Sequence, residues 1–338
     1  MASNLVTLDF KVAVVIPCFK VREHILAVIQ SIGPEVSRIY VVDDRCPDAS
    51  GTLVENTCTD PRVTVIFNPE NKGVGGAVMA GYRAALNDEM AIIVKVDGDG
   101  QMDPSLIPDF IAPILSGEAD YTKGNRFFDL EEIRQMPGMR LFGNTALSFM
   151  TKLSSGYWDL FDPTNGYTAI HSDVARHLPL QKISTRYFFE TDMLFRLNTL
   201  RAVVVDVPMN AKYEDEASNL KIHKIAGEFF IKHLRNMVKR LFYNYYLRDM
   251  SLASFELPLG LLMFLFGLIF GISHWIDSAQ TGVATTSGTV MLSALPVILG
   301  TQLILAFIGY DIQSIPKRPF HIKKKYLKKT TPEKLPLL

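Results

Sequence analysis

Residues 257–276 (LPLGLLMFLFGLIFGISHWI) and 288–310 (GTVMLSALPVILGTQLILAFIGY) contain no Asp, Glu, Lys or Arg. As a helix rising about 1.5 Å per residue, each run is long enough to cross the roughly 30 Å hydrocarbon core of a bilayer. The link between them, DSAQTGVATTS, has no Lys or Arg. Both outer flanks are rich in them: Lys221, Lys224, Lys232, Arg235, Lys239, Arg240 and Arg248 before the first run, then Lys317, Arg318, Lys323, Lys324, Lys325, Lys328 and Lys329 after the second. The positive-inside rule gives a multi-pass hairpin with both ends in the cytoplasm. The alternative is a pair of buried core helices in a soluble protein.

The 35 basic and 35 acidic residues of the 338-residue chain cancel, so the basic flanks are a local asymmetry. Placed beside apolar runs, they point to an anionic membrane surface and not to nucleic acid. Cys18, Cys46 and Cys58 are odd in number and lack CxxC spacing, which predicts reduced thiols. The opening MASNLVTLDFK has no basic segment leading into a longer apolar one, so the N-terminal domain is expected to stay in the cytoplasm.

Ahead of the hairpin, residues 219–247 carry Ile222, Ile225, Phe229, Phe230, Leu234, Met237 and Leu241 at helical spacing, with the basic residues mostly elsewhere. Such a helix can lie in a membrane interface, or pack on a domain with a solvated basic face.

The first part of the chain alternates between two periods. VAVVIP (12–17), RIYVVDD (38–44), VTVIF (63–67) and AIIVKVD (91–97) read as β-branched strands, with helices over VREHILAVIQSI and GGAVMAGYRAALN between some of them. That order predicts an α/β fold with a doubly wound, mostly parallel sheet. Ligands of such sheets bind beyond the carboxyl ends of the strands, where Pro17, Asp43, Asp44, Asn68 and Asp97 fall. Residues 118–215 read as the second half of the same domain.

The fourth strand ends in VKVDGDGQ. Asp97 and Asp99, separated by Gly98, can approach a hard divalent cation such as Mg²⁺ or Mn²⁺, which prefers oxygen ligands shared with substrate phosphates. A surface turn of Asp and Gly would look the same. NKGVGGA sets Gly73, Gly75 and Gly76 at the mouth of a helix, where backbone N–H groups favour anions. Asp43 or Asp44 could accept a hydrogen bond from a base imide or ribose hydroxyl, or cap a helix or turn. There is no HExxH, GxSxG or Walker-type GxxxxGK[ST].

VVIPCFKVREHI, IYVVDDRCPDAS, NPENKGVGGAVMAGYRAA, VDGDGQ, KGNRF, MRLFGNTAL, FDPTNGY and FFETDM follow one another in an order that resembles the inverting family 2 glycosyltransferases. Within them the chain is similar to the dolichol-phosphate mannose synthase-like branch with a C-terminal membrane anchor. The resemblance implies a GT-A fold and a nucleotide pocket built from Pro17 to Glu23 and Asp43 to Asp48, with Asn71, Gly73, Asp97, Gly98 and Asp99 around the donor. Cys46 stands where Ser is usual, and Lys20 where Asn is common. Asp99 is implied as the direct metal contact, with Asp97 near the diphosphate and metal. Gln101 is implied near the sugar or acceptor phosphate.

Arg126 and Arg140 fall where the family places phosphate-binding residues, a geometry suited to guanidinium. Asn144, Asp162, Thr164 and Asn165 would complete the acceptor side. Glu190 and Asp192 lie where many members carry a general base, and Asp192 is taken as the catalytic member. Ser218 and Lys221 could close over the diphosphate. The implied organisation is a cytoplasmic catalytic domain (1–218), amphipathic interface helices (219–250), two transmembrane helices (251–314) and a basic cytoplasmic tail (315–338).

The function expected is metal-dependent, inverting transfer of a hexose from a UDP- or GDP-sugar to a polyprenyl phosphate at the cytoplasmic membrane face. The rivals are a transferase of the same fold acting on another membrane acceptor, and a non-catalytic membrane subunit that binds nucleotide-sugar. The two membrane helices could also serve as the assembly surface of a homo-oligomer.

Overall fold

The computed structural model describes residues 10–128, 138–209 and 222–323, apart from the side chains of 139–140 and 222–226. The chain divides into two units. One contains the residues up to Met237 together with those from Pro316 onward, and the other is Val238–Ile315.

The first unit is built on a seven-stranded sheet: β1 (Val12–Cys18), β2 (Arg38–Asp43), β3 (Val63–Phe67), β4 (Ile92–Lys95), β5 (Tyr121–Asn125), β6 (Thr168–His171) and β7 (Val204–Pro208). Their order is β3-β2-β1-β4-β6-β5-β7. β1 pairs in parallel with β2 and β4, β2 with β3, and β5 with β7, whereas β6 runs antiparallel to β4 and β5. The expected doubly wound, mostly parallel sheet is present, and β6 is the reversed strand.

The helices of this half are α1 (Ile25–Gln30), α2 (Ser50–Thr57), α3 (Val74–Asn87), α4 (Ile107–Leu115), α5 (Gly138–Ser155), α6 (Ser172–His177) and α7 (Phe189–Thr199). The strands read as continuous apolar runs because both faces are covered. On one face Val14 and Ile16 of β1 join Ile25 and Ile29 of α1 and Phe110 and Ile114 of α4 in a single buried cluster. On the other, α3 lies so close to β1 that a Cβ on Gly81 would meet Val15 Cγ1 at 2.3 Å. All three cysteines are free thiols.

α8 (Ile222–Phe242) passes from one unit into the other. Its exposed positions include Phe230, Ile231, Leu234, Val238 and Phe242, while His233, Asn236 and Arg240 are buried. That is the reverse of a helix on a water-soluble surface, where the apolar stripe faces inward.

In the second unit, α9 (Ala253–Thr281) and α10 (Ser287–Gln313) contain the two apolar runs, and about 11 % of the apolar stretch of each is buried. Core helices of a soluble protein would be mostly covered, so that alternative is set aside. The pair packs through small residues: Ser293 Oγ donates to the Gly267 carbonyl at 2.9 Å, and a Cβ on Gly300 would stand 2.6 Å from the Phe264 nitrogen. Arg240 grips Asp311 with both terminal nitrogens, at 2.6 and 3.0 Å, and the Tyr245 hydroxyl donates to the same carboxylate at 2.6 Å.

Candidate active site

The loops that follow β1, β2 and β3 are held by carboxylates. Asp43 accepts from the backbone nitrogens of Cys46 (2.7 Å) and Gly51 (2.8 Å). Asp44 accepts from Asn68 Nδ2 (2.8 Å) and from the nitrogens of Lys72 (2.9 Å) and Gly73 (2.7 Å), and its carbonyl accepts from Asn71 Nδ2 at 3.1 Å. Through these bonds both side chains shape the rim. Lys20, Arg45 and Ala49 all adopt left-handed backbone (φ 58, 54 and 50), and the Lys20 nitrogen donates to Cys46 Sγ at 3.1 Å. Non-glycine residues held at positive φ cluster at functional sites, where surrounding contacts maintain the strain. Pro17 stands opposite Val42 in the sheet beneath this rim, and Glu23 is exposed just ahead of α1.

The mouth of α3 is covered and not open. The Thr185 carbonyl accepts from the Gly76 nitrogen at 3.2 Å, and a Cβ on Gly73, whose φ is 79, would meet that carbonyl oxygen at 2.6 Å. The glycines here let the loop at 184–186 lie directly on the helix.

Beyond the end of β4 a polar cavity of about 210 Å³ is lined by Asp97, Asp99, Gln101 and Met102 on one side, with Arg126, Thr164, Asn165, Gly166, Glu190 and Met209 completing it. Gly98 packs inward against Ile16 and Ile25, so its neighbours Asp97 and Asp99 turn to the cavity. Asp99 also accepts from the Gln101 nitrogen at 3.0 Å. Segments as far apart in sequence as Asp97 and Met209 thus converge on one cavity.

Arg126 is fixed by Asp162, which accepts from its Nε at 2.8 Å and its Nη2 at 3.2 Å and is fully buried. Burial would raise the Asp162 carboxyl, but the Arg126 guanidinium and the Lys123 charge outweigh it and hold the group below the usual carboxylate range. Asp162 is thus the residue that aims Arg126. Thr164 and Asn165 line the cavity itself.

Sequence reasoning missed the basic residues beneath. Lys95 Nζ is buried 2.7 Å from Asp97 Oδ1 and 3.9 Å from Glu190 Oε1, and buried Lys123 donates to the Asn165 carbonyl. Burial pulls Lys123 down to about 8, whereas at Lys95 the same burial is outweighed by Asp97 and Glu190, which raise it. Burial also raises Glu190, against the pull of both lysines. The signal was present in VKVD and YTKGN: a Lys inside an otherwise apolar buried strand requires a partner.

Asp192 is placed differently from the expected catalytic position. It is buried away from the cavity lining, accepting from the Ser184 nitrogen (2.8 Å), Arg196 Nε (3.2 Å) and Asn236 Nδ2 (3.1 Å). Glu190, two residues earlier, is the acidic group of FFETDM that lines the cavity.

Asn144 lines a second cavity of about 300 Å³ with Phe127, Leu141, Phe149 and Phe161, edged by Thr145, Ser148 and Lys152. Its residues Phe127 and Phe161 directly follow and precede Arg126 and Asp162 in the chain. Arg140 belongs to α5, but its side chain lies outside the described residues, as do Ser218 and Lys221.

Among the described residues no three His, Cys, Asp or Glu side chains are grouped to hold a metal alone. Asp97 and Asp99 nevertheless fit Mg²⁺ or Mn²⁺, hard cations that one or two carboxylates bind together with substrate phosphates.

Residues 13–178 match the profile described as Glycosyl transferase family 2. An undecaprenyl-phosphate mannosyltransferase of Micrococcus luteus is 29 % identical over 230 residues, covering 67 % of this chain and 93 % of that protein. A UDP-N-acetylglucosamine–dolichyl-phosphate N-acetylglucosaminyltransferase of Methanococcus voltae is 27 % identical over 221 residues, 61 % of this chain and 88 % of the relative. Among solved structures, glucosyl-3-phosphoglycerate synthase from Mycobacterium tuberculosis, in complex with Mn²⁺, UDP and glucosyl-3-phosphoglycerate, superposes with a TM-score of 0.52 at 18 % identity, over 68 % of this chain and 80 % of that one. This last likeness concerns the fold.

Proposed function

The chain belongs to glycosyl transferase family 2 through residues 13–178, and on that premise we propose that it transfers a hexose from a nucleotide-sugar to a polyprenyl phosphate, with inversion at the anomeric carbon, at the cytoplasmic face of a membrane. The observation that carries this reading is the convergence of Asp97, Asp99, Gln101, Arg126 and Thr164 on one cavity beyond the carboxyl end of β4.

In the proposed reaction an oxygen of the lipid phosphate attacks the anomeric carbon from the side opposite the nucleotide. The bond from that carbon to the diphosphate breaks, and the nucleoside diphosphate leaves with the electron pair. A phosphate monoester is already anionic near neutral pH, so no side chain has to take a proton. Arg126, held rigid by Asp162, binds phosphate oxygens through parallel hydrogen bonds. Gln101, Thr164 and the backbone of Asn165 and Gly166 orient the sugar. Asp99 and Asp97 would hold Mg²⁺ or Mn²⁺, which when bound neutralises charge on the departing diphosphate. The apolar cavity beside Arg126 suits the first isoprene units of the acceptor.

Membrane attachment at the cytoplasmic face is supported by the exposed apolar surfaces of α8, α9 and α10 and by the basic flanks of the hairpin. Residues 316–323, which follow the second apolar helix, belong to the same unit as the sheet.

The test is transfer from labelled UDP-, GDP- and dTDP-sugars to undecaprenyl or dolichyl phosphate by the full chain in detergent, with and without EDTA. A chelator-sensitive, mild-acid-labile lipid product is expected. Donor binding without any lipid product would sink the reading. A second reading, transfer to a membrane hydroxyl acceptor, is favoured by one observation: Glu190 lines the cavity and could serve as its base.

A further inference from the structure

Two ammonium groups lie beneath the cavity, and the reaction outlined above uses neither. Lysine is almost never fully buried without a partner, yet Lys95 and Lys123 are 1 % and 0 % exposed. Strand register brings them together: Lys95 of β4 and Lys123 of β5 both stand opposite Thr168 of the intervening β6. Lys95 Nζ reaches Asp97 at 2.7 Å and Glu190 at 3.9 Å. Lys123 donates to the carbonyl of Asn165 on the facing wall. A Cβ on Gly166 would stand 2.4 Å from Lys95 Nζ and 3.0 Å from Asp97 Oδ2, so the backbone of that wall closes directly over the ion pair.

Asp97, Asp99 and Glu190 share this small cavity, and Lys95 bridges two of them. Resting on the donor reading given above, we propose that Lys95 is a positioning residue. Its ammonium holds Asp97 and Glu190 in place and supplies a resident positive charge, so that the divalent cation of the donor is carried chiefly by Asp99 and bound loosely enough to depart with the product. Lys123 braces the opposite wall at Asn165.

The experiment compares full-length wild type, Lys95→Met, Lys95→Gln and Asp99→Ala in detergent. Mn²⁺ affinity is read from the electron paramagnetic resonance of free Mn²⁺, in the presence of UDP and separately of GDP, alongside melting curves, kcat and KM. Removing one positive charge a few ångströms from a divalent ion should tighten Mn²⁺ binding about tenfold in both Lys95 variants, while kcat at saturating metal and donor falls. A lysine with a merely structural part would weaken Mn²⁺ binding and stability together.

The double variant Lys95→Met/Glu190→Gln restores the charge balance, and its Mn²⁺ affinity should return to within about twofold of wild type. If neither single Lys95 variant folds, the ratio between this double variant and Glu190→Gln alone measures the same tenfold effect. Unchanged or weaker Mn²⁺ binding in folded Lys95 variants, or an absent ratio, overturns the inference. Asp99→Ala binding Mn²⁺ as wild type does would instead overturn the donor reading on which it rests.

Discussion

His321 Nδ1 lies 2.6 Å from Asp120 Oδ1, joining residues 201 positions apart. The same carboxylate accepts from the backbone nitrogens of Phe320 (2.7 Å), His321 (3.0 Å) and Val203 (2.8 Å), so Asp120 is a receptor for the returning chain. Burial would raise its carboxyl, but the bonds from His321, Phe320 and Val203 outweigh that and hold it below the ordinary range. The strap closes the sheet-bearing unit with residues that follow α10.

This strap should loosen in acid. The His171 ring stacks on His321 at 4.3 Å, and burial, then the facing His321, pull His171 down to about 4 against Asp173 and Asp120, with Arg176 adding to the depression. The unfolded imidazole titrates near about 6.5, so between the two values the unfolded chain binds more protons and stability falls as pH drops through that window. Melting temperature should decline from pH 7 to pH 4.5, with earlier proteolysis in the tail. His171→Phe, which keeps a stacking ring, should remove that part of the slope, and an unchanged slope would show that His171 does not set it.

Asp206 should act in the opposite sense. Burial raises its carboxyl to about 6, against the pull of the Phe161 nitrogen, which donates at 2.7 Å, and of Lys123. A raised carboxyl means that the folded chain holds the extra proton between about 3.9 and 6, so stability is lost as pH rises through that window and stays lost at pH 7. Asp206→Asn should raise the melting temperature by a few degrees at pH 7 and by little at pH 4. Equal effects at both pH values would contradict this.

Replacing Glu190 and Asp192 separates the acceptor classes. With a phosphate acceptor, Glu190→Gln should retain transfer within about tenfold of wild type, whereas loss of a true general base costs about 10²–10⁴. A loss in the larger range would favour a hydroxyl acceptor. Asp192→Asn should chiefly lower stability, by about 1–3 kcal/mol, since it disturbs buried bonds to Ser184, Arg196 and Asn236.

Asp162→Asn keeps the shape of the side chain but weakens its charged, two-point hold on Arg126. Misplacing a phosphate-binding group by about 1 Å can cost about 100-fold in rate, so kcat/KM should fall substantially while donor-independent folding persists. Wild-type kcat/KM in the folded variant would show that Asp162 does not aim Arg126.

Local chemistry was enough to read the first four strands, the acidic turn after β4, the basic flanks and the two apolar runs. Strand alternation, helical period and spanning length are short-range patterns that survive without knowledge of the partner surface. The reversed strand β6 was not legible, because TAIH is four residues long and its direction depends on the neighbours it pairs with.

The same limit applied to the site. Glu190 and Asp192 are two residues apart in α7, about 200° around a helix, so the period dictated that they face different ways but not which faced the cavity. That was decided by how α7 docks, with Asn236 on α8 receiving Asp192. The burial of Lys95 and Lys123, their meeting across Thr168, and the hold of Asp162 on Arg126 likewise arise from residues far apart in the chain. The sequence alone therefore determined which segments fold and where the acidic, basic and apolar residues fall along the chain, while only the tertiary structure decided which charges meet, because such pairings depend on long-range packing and desolvation.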